Sequence, residues 1–491
     1  MKRRDEYFAR VRPILGDGLT YKTIAVEGLS AWGRVLELLA ACMLGRIVVR
    51  DLDERIAWPL LAACRGPEAP GSGMNALTYL KRHLRWKNGF AAVRWLTTGT
   101  ADLTLRAELV EPGTCPSLTW DRDQKTLTLR MIRGDLWSYL NISNAAAREA
   151  RDVLLGRMPW PMGTRYFGSH DWPFAMSSTP MSGPEKRPSQ LSGVHLMVVG
   201  CGSVGSEIIR RFAGGDVRWT LVDPGKVSIF NPHRQWFGTS DVGKIKVHVL
   251  AQRLAPRQVR PLERRLNETN LGELGELLVA DRPDAVILTT GTSDDAALAE
   301  MFWRHRIPYV TAYAYPQARY FEITVASPSE LTPCLHCFRG HLYKGVEAAP
   351  PMTDEIASFL YREPDSKERE RAYVNLVAEP ATPMETQRVA DVAAQALVEL
   401  LSPNESRAAW FARLIRDGTT CLLGANVAET RDGEPVYGMT YPGQVVRLGL
   451  GDVVGAETER VCDVCGRELE VTHRVELPQA CDADVDTALL A

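Results

Sequence analysis

The sequence predicts an α/β protein with two tandem Rossmann-like domains and a structural zinc site. Three observations lead to this prediction. Residues 194–223 run from an apolar strand through a glycine-rich turn into a helix, and then into a second strand that ends at an acid. Residues 23–53 repeat this order at nearly the same spacing. Two Cys-x-x-Cys pairs follow in the second half of the chain.

Length and composition indicate a large soluble protein. The 491 residues provide for about two to four domains. The hydrophobic content of 45% and charged content of 24% are ordinary, and a net charge of −2 gives no reason to expect nucleic acid or an anionic membrane as partner. Because no apolar run is long enough to span a membrane, no signal peptide is evident and the ten cysteines are thinly spread, we expect a cytoplasmic protein.

The first domain, expected over residues 1–155, has a weakened glycine turn. Gly28 and Gly33 frame a segment that contains bulky Trp32, and a second strand leads to Asp53. A later segment that starts at Gly73 has Ala76 at the place where the second half of the chain has Lys246. A glycine turn alone is weak evidence, so an unrelated α/β domain is the alternative interpretation.

Residues 156–193 are rich in Pro, Ser, Gly and Met. This composition does not favour helices or sheet ladders and predicts a linker between the domains. Four aromatic residues within the segment predict that it packs in part against its neighbours.

The second domain, expected over residues 194–470, carries the stronger nucleotide signature. Gly200 and Gly202 permit a tight turn and close approach of a ligand, and Gly205 lets the following helix pack on the strand. The helix N-terminus offers N–H groups to an anion, while Asp223 stands where an acid bonds a ribose hydroxyl. By themselves these features predict a mononucleotide or dinucleotide site.

The residues after Asp223 narrow the prediction to a triphosphate. Asn231, Arg234 and Gln235 come next, and Lys246 opens another helix. An arginine and a lysine that converge on one phosphate-binding turn suit a triphosphate and its charged transition state. An NAD-dependent dehydrogenase gives no reason for these residues. The remaining alternative is a Rossmann unit whose arginine and lysine lie on the surface without a ligand.

The ordered set resembles the ThiF/MoeB family, the adenylating superfamily that includes ubiquitin-activating enzymes. The resemblance implies that Asp223 holds the ribose of ATP and that Asn231 and Arg234 contact its phosphates. It also implies that Gln235 supports these two residues and that Lys246 binds phosphate oxygens. We therefore expect a degenerate first and an active second adenylation domain.

The sequence departs from the family pattern at three places. Phe230 replaces a serine, and Gly225 stands where the family often has a second acid. An ungapped comparison puts Thr290 at the place of the acid that positions Mg²⁺ and ATP, whereas a short insertion brings Asp294 or Asp295 there. Because carboxylates suit Mg²⁺ better than a hydroxyl, we assign this role to Asp294. Capping of the next helix is the alternative role.

The two Cys-x-x-Cys pairs have the spacing of zinc knuckles. Cys334 with Cys337 and Cys462 with Cys465 supply four thiolates and leave no ligand position for water, which favours structural Zn²⁺ over a catalytic metal. Many members of the family carry two knuckles in this order. A redox dithiol, or two unrelated buried pairs, are the alternatives.

In this family two adenylation folds pair, as a homodimer or as an inactive–active tandem. In the tandem the inactive half contributes an N-terminal arginine to the ATP of the other half. Arg10 is the matching residue here, although a solvated basic helix face is an equally good interpretation. A homodimer of this chain also remains open.

Thioester-forming members of the family use a cysteine in a crossover loop, which here spans residues 338–387 and contains none. Cys421 is the best remaining thiol, but it lies in an apolar strand-like segment, so a buried structural role is favoured. Residues 471–491 are expected to form a C-terminal tail.

The resemblance implies ATP-dependent adenylation of the C-terminal carboxylate of a ubiquitin-like or sulfur-carrier protein, followed by transfer to a thiol. A ubiquitin-conjugating-like enzyme is a possible second partner, and the tandem layout suggests a bacterial ubiquitin-like conjugation system linked to phage defence. The alternatives are a sulfur-carrier adenylyltransferase for cofactor or siderophore synthesis and a non-catalytic scaffold that binds a ubiquitin-like protein.

Overall fold

A computed structural model describes the greater part of the chain. The described residues are 15, 19–51, 74–89, 93–111, 114–132, 134–157, 163–184, 191–292, 294–315, 318–338, 381–426, 443–448 and 460–469. Of the sequence predictions, Arg10, Asp53, residues 339–380 of the crossover loop and the tail over residues 471–491 lie outside this set.

The first half contains eight strands and three longer helices among its described residues. In chain order they are β1 (Thr23–Glu27), α1 (Leu29–Ala41), β2 (Arg46–Val49), α2 (Ala76–Lys87), β3 (Arg94–Leu96), β4 (Leu103–Val110), β5 (Ser117–Asp121), β6 (Thr126–Ile132), α3 (Leu136–Leu154), β7 (Gly163–Phe167) and β8 (Met176–Ser177).

The second half repeats this layout and adds a small hairpin. Its elements are β9 (Ser192–Val199), α4 (Gly205–Phe212), β10 (Asp216–Val222), α5 (Lys246–Leu254), β11 (Val259–Leu262), α6 (Leu271–Asp281), β12 (Ala285–Leu288), α7 (Asp295–Arg304), β13 (Tyr309–Ala314), β14 (Tyr320–Ala326), α8 (Leu335–Phe338), α9 (Pro383–Leu401), α10 (Ala409–Arg416), β15 (Cys421–Ala425), β16 (Gln444–Leu448), β17 (Arg460–Val461) and β18 (Glu468–Leu469).

Each half forms one eight-stranded sheet with matching strand directions. The first sheet has the order β3-β2-β1-β4-β6-β5-β7-β8, and the second has β11-β10-β9-β12-β13-β14-β15-β16. In both sheets the first five strands of this order are parallel and the last three are antiparallel. The predicted fold class, two Rossmann-like units in tandem, is therefore confirmed.

The strand–turn–helix unit occurs in both halves as the sequence predicts. Gly28 and Gly200 each end a first strand with a positive φ, of 76° and 97°, which is the left-handed region that glycine tolerates best. A Cβ on Gly205 would lie 2.0 Å from the carbonyl oxygen of Gly200, so only glycine lets α4 pack this closely. All residues of α1 and α4 are buried.

Part of the predicted linker differs from the expectation, because it belongs to the first sheet. Strand β7 pairs with β5, and β8 continues the sheet beyond β7. The side chain of Phe167 is buried, and its N–H donates to the carbonyl of Pro116. Alternating Thr164 and Tyr166 suit a strand, and composition alone concealed this short pattern.

The two halves share a continuous hydrophobic core and bury charged residues between them. Helix α3 packs on α9, and α1 contacts α9. Arg34 pairs with Asp391 at 2.5 Å, and Arg210 pairs with Glu37 at 2.7 Å, all with side chains almost fully buried. Within the described ranges, none of the helices has both the length and the apolar character needed to cross a membrane.

Candidate functional site

A cavity of about 410 Å³ lies at the carboxyl ends of four adjacent parallel strands of the second sheet. This is the edge at which open α/β sheets bind ligands. Its lining comprises Val199, Gly200, Gly202, Val222, Asp223, Pro224, Gly225, Lys246, Arg264, Arg265, Leu266, Thr289, Thr290 and Thr292. The described lining therefore combines three cationic side chains with a single carboxylate, a balance that suits a polyanionic ligand.

The glycine turn forms one wall of this cavity. The side chain of Thr289 donates to the carbonyl of Gly200 at 2.6 Å, which ties the turn to the end of β12. A Cβ built on Gly202 meets no heavy atom within 4 Å. Gly202 is thus not required by protein packing, and its bare backbone faces the space that a ligand would enter.

Asp223 is held at the end of β10 by two backbone donors. Its carboxylate accepts hydrogen bonds from the N–H groups of Cys201 and Gly225, both at 2.7 Å. The ammonium of Lys246, the first residue of α5, lies 3.7 Å from the same carboxylate. The structure therefore brings the predicted ribose acid and the predicted phosphate lysine together in one cavity.

Asn231, Arg234 and Gln235 form a buried turn beside this cavity rather than part of its lining. The side chain of Asn231 accepts from the N–H of Ser228 at 2.7 Å and fixes the start of the turn. The side-chain amide of Gln235 donates to the hydroxyl of Ser203 in the glycine turn at 3.4 Å. Gln235 thus connects the two turns, and its support of Asn231 and Arg234 stays a prediction.

Arg264 and Arg265 are lining residues that the sequence analysis missed. Both follow β11 and reach the same sheet edge as Asp223. Arg264 pairs with Glu273 at 3.3 Å, and Arg265 lies 3.8 Å from Asp294. The available signal was their position directly after a strand, but its use depends on knowing that β11 lies next to β10.

The four predicted zinc ligands form one compact cluster. Their sulfur atoms all lie within 4.8 Å of one another, although the two pairs come from distant parts of the chain. The distances are 3.8 Å for Cys334–Cys337, 3.7 Å for Cys334–Cys462 and 3.4 Å for Cys337–Cys465. Tetrahedral coordination with Zn–S bonds of about 2.3 Å requires sulfur separations near 3.8 Å, so the donor set fits zinc.

Comparison with known proteins shows the family of the part of the chain that contains the cavity. Residues 180–411 match the model of the ThiF family. They form a ThiF family domain. A comparison with curated protein sequences gave no match.

Solved structures of MccB from E. coli also resemble the chain, at low identity. MccB with ATP is 15% identical, with a TM-score of 0.36, over 56% of this chain and 68% of MccB. MccB with MccA-N7isoASN is 16% identical, with a TM-score of 0.37, over the same shares.

Two neighbouring acids, Asp294 and Asp295, follow β12 in the ThiF domain, and they make different contacts. Asp295 is buried and accepts from the hydroxyl of Thr290 and from the N–H of Gly291, so it stabilises the turn. Burial raises the pKa of Asp295. Asp294 lies outside the cavity lining, and its nearby cation is Arg265.

Two observations count against a Mg²⁺ site held by Asp223 or Asp294. Both oxygens of Asp223 accept from backbone N–H groups, and Asp294 lies beside a guanidinium, which repels a second cation. The assignment of Mg²⁺ to Asp294 stays a prediction, and we derive no step through this ion.

The thiol of Cys421 lies in the interior of the second sheet, just beyond the residues that match the ThiF family. Its residue is fully buried in β15, and burial raises the pKa of this thiol well above its usual value. A protonated, inaccessible thiol is a poor nucleophile, so the structure favours the same buried structural role that the sequence favours. Outside the four-cysteine cluster, every cysteine that the structure describes is buried.

Proposed function

We propose that the chain uses ATP to adenylate the C-terminal carboxylate of a ubiquitin-like or sulfur-carrier protein. The observation that carries this proposal is the cavity at Gly202, where Asp223, Lys246 and two further arginines meet beneath a glycine turn. Membership of residues 180–411 in the ThiF family supports the same chemistry.

In the proposed reaction an oxygen of the carrier carboxylate attacks the α-phosphorus of ATP. The bond from the α-phosphorus to the bridging oxygen breaks, pyrophosphate leaves, and an acyl-adenylate remains. Negative charge develops on the phosphate oxygens during this step, and cations placed beforehand stabilise it. Lys246 in the cavity and Arg234 in the adjacent turn are the residues that we assign to this role, and Arg10 is a further assignment from the resemblance.

In the second step a thiol loses its proton and attacks the acyl carbon, the bond from this carbon to the phosphate oxygen breaks, and AMP leaves. The described cysteines outside the zinc cluster are buried, which favours a thiol on a partner protein; Cys64 and Cys481 lie outside the described residues. A ubiquitin-conjugating-like enzyme would fill this place in a bacterial ubiquitin-like conjugation pathway, including one that acts in phage defence. The same burial favours the alternative of a sulfur-carrier adenylyltransferase, which needs no thioester on its own chain.

The zinc cluster has a structural part in this proposal. Four thiolates would complete the coordination of Zn²⁺, and the bound ion would then cross-link the chain after β14 to the hairpin formed by β17 and β18.

The test is exchange of labelled pyrophosphate into ATP in the presence of a ubiquitin-like protein encoded nearby. We expect exchange that requires the free C-terminal carboxylate of this protein and is lost when that carboxylate is amidated. Binding of the carrier without any exchange would instead support the non-catalytic scaffold.

A further inference from the structure

A buried lysine of the first half contacts the turn that lies beside the proposed ATP site. Lys87 is the last residue of α2, and its side chain is 2% exposed. Its ammonium donates to the carbonyl of Pro232 at 3.0 Å and to the carbonyl of Gln235. These two carbonyls belong to the segment that carries Asn231, Arg234 and Gln235, which we call the 231–235 turn.

The hydrogen bonds of the 231–235 turn explain why it needs an outside donor. Its internal backbone bonds run from the N–H groups of Arg234 and Gln235 to the carbonyl of Asn231, at 3.1 and 3.0 Å. The carbonyl of Gln235 accepts from the N–H of Phe237 at 2.7 Å as well as from Lys87, whereas the carbonyl of Pro232 accepts from Lys87. A buried carbonyl without a donor is unfavourable, so loss of the ammonium would favour a different shape of the turn.

Lys87 is itself held by acids from both halves. Glu37 of α1 and Glu207 of α4 each lie 3.8 Å from its ammonium. Burial lowers the pKa of Lys87 to about 8, and the two acids oppose this change. Its amine therefore remains mostly protonated at neutral pH.

Trp86, the residue before Lys87, packs against residues 238 and 239, which follow the 231–235 turn. The hydroxyl of Thr239 donates to the carbonyl of Trp86 at 3.3 Å. A Cβ on Gly238 would lie 1.9 Å from the indole nitrogen of Trp86, so this close approach requires glycine. The guanidinium of Arg253 lies over the rings of Trp86 and Trp236, at 4.8 and 5.6 Å from their centres. The end of α2 is thus docked at several points and not by one bond.

The 231–235 turn and the residue after it are hydrogen-bonded to the glycine turn and to the start of α4. Gln235 donates to Ser203, as described above, and the N–H of Trp236 donates to the hydroxyl of Ser206 at 3.1 Å. Two hydrogen-bonded steps therefore separate the first half of the chain from the loop that lines the cavity.

We propose that Lys87 is a positioning residue that fixes the 231–235 turn in the shape required for ATP binding. The inference rests on the proposed function, because it assumes that the cavity holds ATP. The first half, which has a weakened glycine turn of its own, acts in this proposal by shaping the site of the second half.

The experiment compares ATP affinity in Lys87→Met and His83→Gln by equilibrium dialysis. His83 lies on the same helix and bonds Glu37 at 2.6 Å in the same buried network. Unlike Lys87, it makes no hydrogen bond to the 231–235 turn in the contacts described for it. We expect about tenfold weaker ATP binding in Lys87→Met and unchanged binding in His83→Gln, even where both variants unfold at a lower temperature. Lys87→Arg keeps a cation with several donors and should restore most of the affinity.

Hydrogen–deuterium exchange on the unmodified protein tests the same link without a variant. Coupling is reciprocal, so bound ATP should slow exchange at the end of α2 and in the 231–235 turn as well as in the glycine turn. Strand β6 serves as the reference that should not change. Unchanged affinity in a folded Lys87→Met, or protection confined to the glycine turn, would overturn the inference alone. No ATP binding to the unmodified protein would overturn the proposed function and the inference together.

Discussion

At the scale of single residues, the site depends on cations that are set in place before a ligand arrives. Lys246 is held beside Asp223, and Asp223 is held by two backbone donors. Such an arrangement needs little rearrangement when a phosphate binds, because Lys246 already lines the cavity.

Replacement of Lys246 by alanine tests this arrangement. A charge-assisted hydrogen bond contributes about 1.5–3 kcal/mol, so ATP affinity should fall by about tenfold to a hundredfold. Lys244→Ala is the matched control, since Lys244 is 57% exposed and pairs with Asp241 outside the cavity. Equilibrium dialysis with labelled ATP gives the comparison. Equal affinities in the two variants would contradict the assigned role.

The sequence predicted residues that belong to motifs with a recognisable order and spacing. Gly200, Gly202, Asp223 and Lys246 line the cavity as expected, and the four cysteines meet as their spacing indicates. Residues that reach the site across the sheet or from the other half were missed. To predict that Arg265 lines the cavity, one must know the strand order, and to predict the contacts of Lys87, one must know how the two halves pack. A local sequence pattern contains neither kind of information.

At the scale of elements, the same motif contains glycines with different physical purposes. Gly205 stands where α4 meets the preceding strand, and Gly202 faces open space. The sequence motif already indicates close approach of a ligand at Gly202 and helix packing at Gly205. The structure separates a requirement of packing from a requirement of ligand access.

Alanine substitution distinguishes these purposes. Gly205→Ala places a methyl group 2.0 Å from a backbone oxygen, and overpacking of this kind costs about 1–3 kcal/mol or more of the free energy of unfolding. Gly202→Ala should leave stability nearly unchanged but weaken ATP binding, because the methyl group enters the cavity. Chemical denaturation and dialysis measure the two effects. A stable Gly205→Ala with normal ATP binding would contradict the packing argument.

Removal of the metal tests whether the four-cysteine cluster binds zinc and stabilises the fold. We expect about one equivalent of zinc by elemental analysis, and a lower unfolding temperature after chelation, because the four thiolates would no longer be joined. Cys462→Ser should show the same loss. Cys115→Ser is the control, since Cys115 is also buried but lies in the first half, where it donates to backbone carbonyls. Protein without zinc and with unaltered stability on chelation would argue for the redox alternative.

At the scale of the whole molecule, the two halves behave as one folded unit. Their shared core includes side chains from both sheets, and buried ion pairs cross between them. Burial alone would raise the pKa of Glu37, but Arg210 and His83 hold it well below its usual value. The charged form of Glu37 is therefore part of the folded state at neutral pH.

Asp391→Asn tests the contribution of this buried network. Arg34 and Arg211 both pair with Asp391, at 2.5 and 2.8 Å, and the variant would leave two buried guanidiniums without this acid. Loss of one partner from a buried pair costs about 3–5 kcal/mol. Glu300→Gln, which affects an exposed pair with Arg304, should cost less than about 0.5 kcal/mol. Urea denaturation of both variants provides the measurement, and equal stabilities would contradict the interpretation.

Calorimetric titration of the purified protein with ATP, and separately with NAD, tests the central claim most directly. The account predicts saturable heat with ATP at one site per chain and none with NAD, because the cations at Gly202 match a triphosphate. Binding of NAD with no response to ATP would contradict it.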